Sequence, residues 1–145
     1  MPEALNTLVA VVGTLVGVYV GHQFQRRSEE RSSRRAALAD LAAAVMEQRR
    51  SQYDRWLRRT EDPEGAPYLS AREDSYRTRS AAQQAFYRAR LLVQDEPLLL
   101  LAQGAITATA QIHKATDRHA FDAASSAAEQ SLDRFLAAAA RYVHR

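Results

Sequence analysis

Four histidines, at positions 22, 113, 119 and 144, are the side chains best suited to metal or proton chemistry in a chain without cysteine. His113 and Asp117 stand at i, i+4, and His119 lies near Asp122. Neither pair makes the HExxH or Glu-x-x-His spacing by which helices hold metals. Polar residues on exposed helix faces explain them, so no metal and no other cofactor is expected. The serines sit in Ala- and Arg-rich stretches without a nucleophile elbow. Three of the five glycines fall in one apolar run rather than in a phosphate-cradling loop. Glu61, Asp62 and Glu64 cluster where a loop is expected and are solvated there. The sequence therefore predicts a non-enzymatic protein.

One segment has the chemistry of a binding face. Arg49, Arg50, Arg55, Arg58 and Arg59 surround Tyr53 and Trp56, and guanidinium groups with aromatic rings suit single-stranded nucleic acid. The same residues equally suit an arginine-rich helix face whose stems cover apolar surface, or a face for a protein partner. Nucleic acid is the weaker of these readings.

The elements that would position such a face begin with Ala4 to Gln25, twenty-two residues without a charge. As an α-helix this run covers roughly 33 Å, enough for a bilayer core of about 30 Å. The sequence predicts a transmembrane anchor over residues 1–25. A cleaved signal peptide would carry its positive charge before the run, whereas here Arg26, Arg27, Arg31, Arg34 and Arg35 follow it. By the positive-inside rule the N-terminus lies outside and the remainder in the cytoplasm, with these arginines against anionic headgroups. Gly13, Gly17 and Gly21 recur every fourth residue, with Thr14 beside them, and form a glycine-zipper face for helix association. No second apolar span follows, so a homo-oligomer is expected.

Behind the anchor, 28 alanines, 19 arginines and few Gly or Pro point to an all-α protein. A basic juxtamembrane segment and long helix occupy residues 26–60, with Leu38, Leu41, Val45, Tyr53, Trp56 and Leu57 as a loose stripe. The polar stretch Glu47 to Gln52 implies a part that projects beyond its neighbours or meets another subunit. Glu61 to Pro67 breaks the helix, and Ser70 with Glu73 fits a capping box. Three further helices fill residues 70–145, broken near Gln94–Pro97 and Thr116–Arg118. Phe121, Ala124, Ala128, Leu132, Phe135, Ala139 and Tyr142 give the last helix its stripe. Together the helices behind the anchor predict an antiparallel bundle of about four with coiled-coil-like packing.

The glycine-rich run, FQRRSEERSSRRAALADLAAAV and QYDRWLRR resemble small single-span membrane proteins of actinobacteria, the streptomycete type above all. The resemblance covers most of the chain and implies a membrane location without an assigned activity. The expected function is a single-pass inner-membrane scaffold or docking module for an unidentified cytoplasmic protein. A pore former with polarity from Asn6, Thr7, Thr14, Tyr19 and His22 is the alternative, and a membrane tether for nucleic acid the second.

Overall fold

The structure, a computed structural model, describes residues 2–145, with side chains from Gly13 onward. The described residues are helical, without a strand. They form α1 (Pro2–Glu61), α2 (Ala66–Leu92), α3 (Glu96–Gln111), a 3-10 turn (Ile112–Lys114) and α4 (Arg118–Val143). The chain divides into two units, Met1–Ser33 and Arg34–Arg145. α1 supplies the first unit and the first helix of the second.

Among the described residues no helix is long and apolar enough to cross a membrane. Positions 4–12 of the expected span lie outside the residues whose side chains are described.

The second unit is a bundle whose directions follow from its polar contacts. Arg34 Nε donates to the Leu92 carbonyl at 3.1 Å, Arg88 Nη1 to Asp40 at 3.0 Å and Arg55 Nη1 to Ser75 Oγ at 3.1 Å. Numbers rise along α1 as they fall along α2, so the two are antiparallel. Gln48 Nε2 reaches the Ile106 carbonyl at 3.5 Å and Trp56 Nε1 the Ala115 carbonyl at 3.0 Å, so α3 runs with α1. Arg35 Nη2 donates to the Val143 carbonyl at 3.2 Å while Arg49 pairs with Glu129 at 3.5 Å, so α4 runs against it. The result is an up-down-up-down bundle.

Local signals explain most of the boundaries. Asp95 caps α3 by accepting from Leu98 N at 3.0 Å, with Pro97 in the first turn. Asp117 caps α4 by accepting from Ala120 N at 2.7 Å. Both match the breaks expected there. The start of α2 differs from the expectation. It begins at Ala66, with Gly65 at the cap and Pro67 in the first turn, and Ser70 lies inside the helix. Proline at the first helical positions lacks only an N–H that would have no partner anyway, so it opens the helix instead of delaying it.

The core has two apolar parts with a polar layer between them along α1. Leu38, Leu41, Val45, Phe86, Leu99, Ile106 and Phe135 belong to the larger part. Trp56, Ile112, Phe121 and Ala128 belong to the smaller. Between them Gln48, Ser51 and Gln52 are buried with Ser75, Thr78 and Thr109. Three residues of the stretch expected to project, Gln48, Ser51 and Gln52, are thus buried, while Glu47 and Arg50 stay exposed. The reason is chemical: Ser51 and Thr78 share a hydroxyl–hydroxyl hydrogen bond, and Ser51 Oγ also reaches the Gln48 carbonyl at 2.9 Å. Local hydroxyl-to-backbone bonds of this kind let polar side chains enter a helix interface.

Phe135, completely buried, is the sharpest probe of this packing. Phe135→Ala should cost about 3–5 kcal/mol in urea unfolding, because alanines around it leave little to collapse into the void. A loss below about 1 kcal/mol would contradict the packing.

Candidate functional site

The arginine and aromatic segment of α1 faces three neighbours at once, and most of its side chains have structural work. Trp56 is buried, stacked on Phe121 with ring centroids 4.1 Å apart. It is not open to stack a nucleotide base, which corrects that part of the expected face. Arg59 Nη2 donates to the Ala115 carbonyl at 2.7 Å, beside the Trp56 bond. Arg58 is paired with Asp54 at 3.4 Å and Glu61 at 3.0 Å, Arg50 with Glu47, and Arg49 with Glu129. The Arg50 guanidinium holds the Glu47 carboxyl below the usual range. Tyr53 remains partly open and meets Phe121 edge-on at 5.1 Å.

Tyr53, Arg49 and Arg50 do line a groove of about 470 Å³ between α1 and α4, with Met46, Phe121 and Asp122. Its positive charge is largely answered by the carboxylates of Asp122, Glu47 and Glu129. The groove suits a neutral amphipathic side chain better than a phosphate.

Of the five arginines expected at lipid headgroups, Arg34 and Arg35 are occupied in the bundle. Their bonds to the Leu92 and Val143 carbonyls satisfy the ends of α2 and α4, where backbone oxygens lack helical partners. Arg26, Arg27 and Arg31 are exposed in the first unit. A Cβ added at Gly13, Gly17 or Gly21 would meet nothing within 4 Å. Thr14 is engaged in an interaction of its own. Among the described residues no group of His, Asp or Glu is placed to hold a metal ion.

Comparison with known proteins adds what geometry does not. A family model described as KilB plasmid transfer protein matches residues 35–143. Protein KilB of Streptomyces lividans is 33% identical over 144 residues, covering 94% of this chain and 97% of that one. The chain belongs to the KilB family. The match begins at Arg35, close to where the bundle begins. No solved structure matches the chain. The streptomycete placement implied by the resemblance agrees with this relative. The KilB family also has a plasmid-transfer description where the resemblance implied no activity.

One set of residues in this KilB family chain escaped the sequence reading. Arg72 and Arg79 on α2 stand seven apart, and neither has an acidic residue three or four positions away. That missing counter-charge was the available signal. Between them Tyr76 is exposed, with the Arg55 guanidinium 5.1 Å and that of Arg72 6.0 Å from its ring centre.

His113, in the 3-10 turn, borders the same region. Burial, then the charges of Arg55 and Lys114, push it down from 6.5 to about 4, and its Nδ1 is buried without a hydrogen-bond partner. The unfolded chain therefore binds the histidine proton more readily than the folded one. Stability should be flat above pH 6.5 and fall as pH drops towards 4. Allowing for solvent screening at a partly exposed ring, the loss is about 1–2 kcal/mol. His113→Gln should remove that increment of pH dependence in thermal melts between pH 7 and 4. An unchanged difference between pH 7 and 4 in the variant would show that His113 is not its source.

Proposed function

We propose that this chain is a non-enzymatic, membrane-anchored module of plasmid transfer, with its helical bundle on the cytoplasmic side. The observation that carries the reading is the exposure of the first unit's apolar side chains. Leu15, Val18, Tyr19 and Phe24 are each more than 60% exposed, and Val16 and Val20 are open as well. Their helical spacing distributes them around the whole circumference. A helix apolar on every side has no stable arrangement in water and is matched by hydrocarbon. Charge is absent from Ala4 to Gln25, and arginine follows at once. The plasmid-transfer part of the reading rests on the KilB family description alone.

In this reading residues 4–25 cross the cytoplasmic membrane with the N-terminus outside. Arg26, Arg27 and Arg31 meet anionic headgroups on the inner side. Arg34 and Arg35 also bond the Leu92 and Val143 carbonyls of the bundle. The open face of Gly13, Gly17 and Gly21 lets a second copy approach closely, so the anchors associate. A pore is not favoured. Asn6, Thr7, Thr14, Tyr19 and His22 supply too little polarity to mark a channel face, and Tyr19 already accepts a hydrogen bond from Gln23 at 3.1 Å.

Washing membranes with alkaline carbonate should leave the full chain in the pellet, released only by detergent. Replacing Gly13 and Gly17 by Leu should preserve that anchoring while lowering self-association in a membrane two-hybrid assay by about tenfold. Recovery of the unaltered chain in the aqueous supernatant would sink the anchor, and an undiminished two-hybrid signal would sink the glycine face.

A further inference from the structure

We infer that the outer surface of α2, joined to the 3-10 turn, is a docking site for the sugar-phosphate backbone of duplex DNA. The argument starts from charge. Several arginines of the bundle are answered by carboxylates: Arg77 by Asp74, Arg88 by Asp40, Arg118 by Asp122. Arg55, Arg72, Arg79 and Lys114 have no carboxylate partner among the described residues. Of the two acids in α2, Asp74 holds Arg77 at 2.6 Å, and Glu73, beside Arg72 in the chain, is exposed and makes no ion pair among the described residues. The neighbouring helix α3 has a single acidic residue, Glu96, at its far end from the 3-10 turn.

Geometry gathers these cations. Ser75 Oγ accepts from Arg55 Nη1 at 3.1 Å, which brings a guanidinium from α1 onto α2. There it shares the Tyr76 ring with Arg72. Seven residues along the helix set Arg72 and Arg79 about 10.5 Å apart along its axis. Lys114 is exposed in the turn that also holds His113. The positive surroundings have a second signature, for Arg55, Lys114 and Arg59 all disfavour protonation of His113.

The occupant follows from what is and is not open. Tyr76 holds two guanidinium groups against its ring, so it organises cations instead of offering a free platform for a base. Phosphates are then the recognised groups, and recognition is independent of sequence. A duplex presents phosphates at fixed spacing to a rigid helix face, which favours it over a flexible strand. An acidic protein would need carboxylates at matching positions, and nothing here supplies one. This inference does not depend on the first unit entering lipid, so it can fail or succeed separately from the anchor.

The test uses the full chain in detergent and a mixed-sequence duplex of about 30 base pairs, with anisotropy read across a salt series. Three to four phosphate contacts predict a slope of log K against log salt of about −3. The triple variant Arg72→Gln, Arg79→Gln, Lys114→Gln should weaken binding at least tenfold and flatten the slope to about −1. Arg88→Gln and Arg145→Gln, where the arginine is paired, should leave binding within about twofold, and circular dichroism checks that every variant is folded. Loss with the paired variants equal to that with the triple variant would overturn the assignment. So would absence of salt-dependent binding, or a triple variant that loses only its affinity for phosphatidylglycerol vesicles. Tighter binding to a single strand of the same sequence would refute the duplex as the occupant.

Discussion

The carbonyl oxygen of Ala115 receives two donors from α1, Trp56 Nε1 at 3.0 Å and Arg59 Nη2 at 2.7 Å. This pair of bonds fixes the turn between α3 and α4 against the first helix of the bundle. Trp56 then stacks on Phe121, four residues beyond the cap of α4, so the same side chain sets where α4 begins. A buried carbonyl left without donors would cost about 1–3 kcal/mol, so the turn and the helix must be placed together. His113 and Lys114 owe their position beside Arg55 to that arrangement. The unpaired cationic surface of α2 is in this sense downstream of one backbone oxygen.

Arginine does four different jobs in this chain. Surface pairs such as Arg118 with Asp122 contribute little, since exposed ion pairs are worth about 0–1 kcal/mol. Arg34 and Arg35 close the ends of α2 and α4 by bonding their last carbonyls. Arg55 and Arg59 tie α1 to Ser75 and to Ala115. Arg72 and Arg79 have neither acid nor carbonyl to answer. The planar, multi-donor guanidinium makes the bridging roles available in a way a lysine ammonium does not, which fits a chain with only one lysine.

The parts of the fold that were legible in the sequence are those where apolar side chains repeat. The α4 stripe from Phe121 to Ala139 is buried much as its spacing implies, and Asp95 and Asp117 cap the helices they precede. The misread part was Glu47 to Gln52. A hydrophobic pattern cannot announce an interface made of Gln48, Ser51 and Gln52 facing Ser75, Thr78 and Thr109, because its partners are polar on both sides. Arg34 and Arg35 were equally opaque. They look like every other arginine near the apolar run, and only the folded positions of Leu92 and Val143 give them partners. Of the candidate site, Arg49, Arg50 and Tyr53 do meet in a groove, but Trp56 belongs to the interior.

Ala82, Ala89, Ala102, Ala105 and Ala128 have no exposed surface at all. Helices that touch through single methyl groups leave no slack, so even one added methylene there forces the backbones apart. Sequence drift is thereby confined to the outward faces. A chain built this way can exchange one recognition surface for another over evolutionary time by rewriting the exterior of α2, while the interior that holds the four helices together stays as it is.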